Sequence, residues 1–266
     1  MASEHTIDVG MVSGAEGINL QEGNSHGVLL LHGFGDTPQT LTLLARELFA
    51  SGYDVVAPLL PGHGTSVESF IRSRRGDWLA CARVELTRMR ETHQSVALAG
   101  LSMGGALAAI LAAENPDTPA LVLMAPYLDM TPKAKLAAAT QWFWSEAAGA
   151  RRSTSPNSIL DPEERAKNLG YGGVYSGRLL YELWRLSTRA RRALADITVP
   201  TLVIQSRTDP RVAPTVAENA MAAIGAEEKK LVWIEGAGHV ITVDYGRARV
   251  FEEVKSWIAA HTPGKR

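Results

Sequence analysis

The sequence predicts an α/β domain: a mostly parallel, doubly wound sheet with an inserted helical segment. Three observations carry this. Short apolar runs recur along the chain without polar alternation, as strands buried on both faces require. Helical stretches separate them, so each strand is expected to cross over to a parallel neighbour. The alternation stops at Tyr127, and it resumes only at Thr201.

Taken in order, residues 1–25 are weakly patterned and glycine-rich, with room for an edge strand or two. Residues 28–31 (VLLL) form a buried strand leading into the loop 32–36 (HGFGD). An amphipathic helix is expected over 40–51, closed by Gly52. The next strand covers 54–58 and runs into LPGHG at 60–64. Residues 77–92 read as a helix with Asp77 as its cap. The run at 96–99 is a strand and 106–113 a helix, ended by Asn115 and Pro116. Residues 120–126 form another strand. The interruption holds helical stretches at 134–148, 163–168 and 178–194 but no buried strand. A strand at 201–205, a helix at 215–224, a strand at 229–235 and a helix at 245–261 complete the pattern. The expected organisation is a core of 1–126 and 197–266, with 127–196 as a helical lid over the carboxyl ends of the strands.

Composition bounds the function. The 266 residues, 45% hydrophobic and 21% charged, suit one large α/β domain with an insertion. A net charge of −1 gives no electrostatic basis for binding nucleic acid or an acidic membrane surface. Cys81 is the single cysteine, which excludes an internal disulfide and a cysteine metal cluster. Residues 1–20 have neither a basic start nor a sustained apolar core, and no run approaches the length of a membrane span. A soluble cytoplasmic protein, monomer or homodimer, acting on a small molecule without metal or cofactor is the expectation. The cluster of Arg189, Arg191 and Arg192 reads as a solvated face.

The chemistry centres on residues 95–115, SVALAGLSMGGALAAILAAEN. A strand, the turn Gly100-Leu101-Ser102-Met103-Gly104 and a helix meet with a serine at the bend, the context in which G-x-S-x-G is a nucleophile elbow. The glycines let strand and helix approach closely. The helix would begin at Met103, aiming unpaired N–H groups and a positive dipole end at the reacting centre.

In open α/β sheets the site lies beyond the carboxyl ends of the strands. Asp209 stands just past one predicted strand and His239 just past the last. A serine hydroxyl needs a base to take its proton as it attacks. His239 can act as that base and then as acid toward the leaving group, and Asp209 would orient the imidazole and stabilise its charged form. Asp129 also follows a strand and is the rival acid. His5, His26, His93 and His261 have no strand-end position and are expected at the surface. His63 lies in a loop able to line the site. The oxyanion hole is expected to use the backbone N–H of Met103 and of Phe34, with His32 holding the Phe34 loop by hydrogen bonds.

The combination HGFGDTPQTL, LPGHGTS, GLSMGG, the strand-end Asp209 and GAGHVITVDYG resembles the bacterial monoacylglycerol lipase and carboxylesterase group of α/β-hydrolases. The resemblance covers roughly residues 27–126 and 200–260. It implies Ser102 as nucleophile, Asp209 as acid, His239 as base, and Phe34 and Met103 as oxyanion donors. The implied activity is a metal-free serine hydrolysis of short- to medium-chain carboxylic esters, monoacylglycerols among them, through an acyl-enzyme. The lid departs from the pattern at Trp142-Phe143-Trp144 and at Gly170-Tyr171-Gly172-Gly173. Trp142, Trp144 and Trp184 are candidates for substrate contact, although at helical spacing such residues also serve as packing between lid and sheet. The same fold and residues serve carbon–carbon hydrolases, thioesterases and amidases, and a slow ligand-binding protein would also retain them. An aspartate-nucleophile chemistry is disfavoured by the serine at the elbow.

Overall fold

The computed structural model describes residues 11–152, 157–171 and 173–262. The glycine-rich start is thus described only from Met11; His5 and Gly172 lie outside the described residues.

A short strand, β1 (Ile18–Leu20), precedes β2 (His26–Leu31), whose residues are all buried. The helix expected from residue 40 is split. A 3-10 turn over Pro38–Leu41 precedes α1 (Thr42–Ala50), because Pro38 can start a helical turn but gives no N–H to it. After β3 (Asp54–Ala57) comes a helix the periodicity did not reveal, α2 (Val67–Arg72), capped by the Ser66 hydroxyl on the Ser69 N–H. Helix α3 (Arg75–Thr92) starts two residues before Asp77, which therefore sits in the first turn and is not the cap.

Strand β4 (Ser95–Leu101), helix α4 (Met103–Glu114) and strand β5 (Leu121–Met124) follow as expected. The insertion breaks into more pieces than its composition suggested. Helix α5 (Pro132–Ala139) and helix α6 (Gln141–Ala148) are separated at Thr140. A two-residue antiparallel pair, β6 (Arg151–Arg152) with β7 (Val174–Tyr175), brackets α7 (Pro162–Lys167). Helix α8 (Gly177–Ala193) ends the segment. The chain closes with β8 (Thr201–Ser206), α9 (Pro214–Ala223), β9 (Lys229–Ile234) and α10 (Arg247–His261).

Among the described residues the main sheet has seven strands in the order β1-β3-β2-β4-β5-β8-β9, parallel except for β1 at its edge. Alternate residues of each strand feed two cores. Leu29, Leu31, Leu98, Leu121 and Val203 pack with α3, α4, α8 and α9 on one face. Val28, Leu30, Ala97, Val122 and Ile204 pack with α1 and α10 on the other. Helix α8 belongs to the first layer: it lies against α4, and its Leu179, Leu183, Leu186 and Ala190 are core residues. Among the described residues no helix is long and apolar enough to cross a membrane.

Two histidines expected at the surface are instead buried near the amino ends of the strands. His26 Nδ1 lies 2.9 Å from Ser95 Oγ. His93 Nε2 lies 3.2 Å from Asp54 Oδ2, whose carboxylate also accepts the Glu22 and Gly23 N–H groups. A carboxylate and a hydroxyl at the starts of β3 and β4 offer partners there that a single-residue reading of the sequence does not reveal.

Candidate active site

The central strand β4 delivers Ser102 to a sharp bend. Its backbone adopts φ 55°, ψ −115°, a conformation that costs a non-glycine residue on the order of 1–3 kcal/mol. Neighbouring backbone holds it there: the Ser102 N–H donates to the Met124 carbonyl at 2.9 Å, and the Tyr127 N–H donates to the Ser102 carbonyl at 3.0 Å. The flanking glycines are steric necessities. A Cβ on Gly100 would lie 2.2 Å from the Gly104 carbonyl oxygen, and one on Gly104 would lie 2.0 Å from that of Leu31.

Strands β8 and β9 supply the partners. His239 Nε2 stands 2.7 Å from Ser102 Oγ, and His239 Nδ1 stands 2.7 Å from Asp209 Oδ2. A carboxylate can only accept, so Nδ1 carries the proton and Nε2 is left to accept from the serine hydroxyl. The structure thus brings together the three residues singled out at the strand ends, although 137 positions separate Ser102 from His239. All three are buried.

Asp209 is held from several sides. Oδ1 accepts the N–H of Arg211 at 2.7 Å and of Val212 at 3.0 Å, and Oδ2 accepts Gln205 Nε2 at 2.8 Å. Burial works against its charge. The charge and hydrogen bond of His239, with the Val212 and Arg211 amides, prevail and keep the carboxyl below the usual carboxylate range. Hydroxyls of Ser206 and Thr208 both donate to the Ala237 carbonyl, at 2.6 and 2.8 Å, tying the Asp209 loop to the His239 loop. Asp129 lies elsewhere: Lys135 Nζ at 2.7 Å and an Arg191 guanidinium nitrogen at 2.8 Å occupy it.

The loop after β2 runs past Ser102, since a Cβ on Gly33 would lie 3.4 Å from that of Ser102. This brings Phe34 alongside, while the Met103 N–H opens α4 and has no carbonyl within the helix to meet. His32 Nδ1–H donates to the Gly33 carbonyl at 2.9 Å and Nε2 accepts the Leu60 N–H at 3.0 Å, so the ring is neutral and fastens two loops. Burial, then the neighbouring His63, depress its pKa well below the ordinary value, against the Gly33 bond. His63 packs edge-on against His32 and Phe70. Burial pushes its pKa down to about 4, against hydrogen bonds to the Pro61 and Leu60 carbonyls. It is a neutral packing residue of this loop.

Asp36, Gln205 and Asp244 are site neighbours that the sequence did not announce. Burial pushes the Asp36 carboxyl up to about 6, against the Thr37 amide, the Thr40 hydroxyl, the charge of His239 and the Asn168 side chain. Gln205 ends the strand expected over 201–205, and nothing in the sequence pairs it with Asp209. The three tryptophans divide. Trp142 is 68% exposed and stacked on Phe143, Trp144 donates through Nε1 to the Ala137 carbonyl at 3.1 Å, and Trp184 packs against the core beside Tyr181.

Known proteins resemble this chain over most of its length. The family model Hydrolase_4, described as serine aminopeptidase, S33, matches residues 24–245. A thermostable monoacylglycerol lipase of Bacillus sp. (strain H-257) is 30% identical over 94% of this chain and 97% of its own length. A carboxylesterase of Bacillus subtilis (strain 168) is 28% identical over 89% of this chain and 94% of its own. A solved structure of a metagenome-derived lipolytic enzyme superposes with a TM-score of 0.86 at 29% identity, covering 95% of this chain and 100% of the other. On an α/β-hydrolase fold and with a family match spanning most of its length, the chain belongs to the Hydrolase_4 family, serine aminopeptidase S33.

Proposed function

We propose that the protein is a serine carboxylic-ester hydrolase with Ser102 as nucleophile, His239 as general base and acid, and Asp209 as the orienting acid. The observation that carries this is the unbroken chain of two 2.7 Å contacts from Ser102 Oγ through the imidazole to Asp209. Its relatives include a monoacylglycerol lipase and a carboxylesterase, so short- to medium-chain esters, monoacylglycerols among them, are the proposed substrates.

Ser102 Oγ attacks the ester carbonyl as His239 Nε2 takes its proton. The backbone N–H groups of Phe34 and Met103 hold the resulting oxyanion, each worth roughly 10²–10³ in rate. The imidazolium returns its proton to the leaving alcohol, and water activated by the same nitrogen releases the acid. The segment 127–196 serves as the lid, anchored on the core by α8 packing against α4. We place the protein in the cytoplasm as a monomer or homodimer.

The test is intact mass after a fluorophosphonate, on wild type and Ser102→Ala, alongside turnover of p-nitrophenyl esters. One adduct on the wild type alone, with ester turnover, is expected. Full activity in Ser102→Ala overturns the assignment. The description of the matched family as a peptidase favours amide hydrolysis as the second reading; a fluorophosphonate adduct together with p-nitroanilide turnover but no ester turnover would select it.

A further inference from the structure

We propose that Asp244 is a positioning residue for His239, fastening the histidine loop to the inserted segment so that the imidazole stands in line with Ser102. The proposal rests on the hydrolase reading above. Asp244 is buried, and both of its oxygens accept backbone amides from two separate parts of the chain. Oδ2 takes the N–H of Gly238 at 2.7 Å and of Leu160 at 2.8 Å. Oδ1 takes the N–H of Asp161 at 2.9 Å and of Tyr245 at 2.8 Å. Gly238 and Tyr245 flank the histidine loop, whereas Leu160 and Asp161 belong to the insertion.

The same stretch grips the loop a second time. The Ser158 carbonyl accepts the N–H of His239 itself at 2.7 Å and of Val240 at 3.1 Å. Its hydroxyl accepts Arg211 Nε at 2.8 Å, two residues beyond Asp209. The junction has no slack: a Cβ on Gly238 would lie 2.5 Å from the Ser158 carbonyl oxygen and 2.9 Å from Asp244 Oδ2. Further along, the Tyr171 N–H donates to the Gly35 carbonyl at 2.7 Å, and Gln39 bonds the backbone of Lys167 and Leu169 at 2.8 and 3.1 Å. One short stretch of the insertion therefore ties down the loops that carry the base, the acid and the proposed Phe34 donor.

A carboxylate suits this post because it presents acceptors only. In Asp244→Asn the amide nitrogen would face two N–H donors, so one pair of bonds must open and the loop carrying His239 loses its registration. The test uses Asp244→Asn, Gly238→Ala and the double variant, with wild type in parallel. Thermal melting establishes that each is folded at the assay temperature. The readouts are kcat and KM for a p-nitrophenyl ester and the rate of fluorophosphonate labelling of Ser102.

A displacement near 1 Å predicts that kcat and labelling fall together by about 100-fold, while KM stays within about threefold because the lost alignment acts on the transition state and not on ground-state binding. Both substitutions break one junction, so the double variant should lie within about twofold of the worse single variant. Wild-type kcat and labelling in folded Asp244→Asn overturn the proposal, as does a loss confined to KM or a multiplicative double variant. Should Asp244→Asn not fold, Gly238→Ala decides alone, since it forces the same junction apart with the carboxylate intact. A wild type that neither labels nor turns over sinks the hydrolase reading itself, a result distinct from active variants beside an active wild type.

Discussion

Asp36 should make the protein less stable at neutral pH than it need be. Asp36 is 8% exposed, accepts the Thr37 N–H at 3.1 Å, and lies in the loop that passes Ser102. Burial raises its pKa from 3.8 to about 6. The folded value exceeds the unfolded one, so the native state favours the protonated acid. That contribution is fully present below about pH 4 and is lost as pH rises through about 6. Above that, at about 1.4 kcal/mol for each tenfold change in proton affinity, the buried charge costs about 3 kcal/mol. Asp36→Asn keeps the shape and the acceptor for Thr37 but cannot ionise. Urea unfolding of the two proteins at pH 4, 6 and 8 should show near-equal midpoints at pH 4. At pH 8 the variant should lead by about 2–3 kcal/mol with unchanged m. A gain of the same size at every pH, or a variant less stable at pH 8, refutes the reasoning.

Other expectations follow from the site geometry. Asp209→Asn should lower kcat by about 10³–10⁴-fold by allowing the wrong imidazole tautomer, while Asp129→Asn, which disturbs contacts with Lys135, Arg191 and the Met130 N–H away from Ser102, should stay within a few-fold; steady-state kinetics that rank them in reverse would move the acid. Gln205→Leu removes the 2.8 Å bond to Asp209 Oδ2 and should lower kcat by about tenfold, roughly one hydrogen bond's worth to a charged group, with the melting temperature measured alongside. Gly104→Ala should give no folded protein by circular dichroism, because its Cβ would meet the Leu31 backbone at 2.0 Å; a folded, active variant would show that strand and helix can separate.

The positions of Ser102, Asp209 and His239 were legible because strand ends can be read from apolar runs, and the end of a strand is where an open sheet concentrates chemistry. The elbow was clearer still, since Gly100 and Gly104 each sit where a side chain would overlap backbone. Short-range detail was not legible. Helix α2 is six residues with a single buried one, Phe70, too little for a periodic signal. The split at Thr140 and the two-residue strands β6 and β7 have no pattern to detect. His26 and His93 are interior because Ser95 and Asp54 meet them across the sheet's amino ends, and pairing at sequence distances of 69 and 39 leaves no local trace. Asp244 was hidden likewise, as its two loops come together only when the insertion folds back on the core.

The strand order carries a consequence for synthesis. Strand β5 pairs with β4 on one side and β8 on the other, and roughly 76 residues, the insertion among them, separate Met124 from Thr201. At about 5–20 residues per second, the ribosome needs on the order of 4–15 s to deliver β8 after β5 has emerged. Throughout that interval β5 is an open, wholly apolar edge, LVLM, the kind of surface that recruits other chains. The nascent chain is therefore most vulnerable to aggregation while the insertion is being translated, and slow codons there would lengthen the exposure.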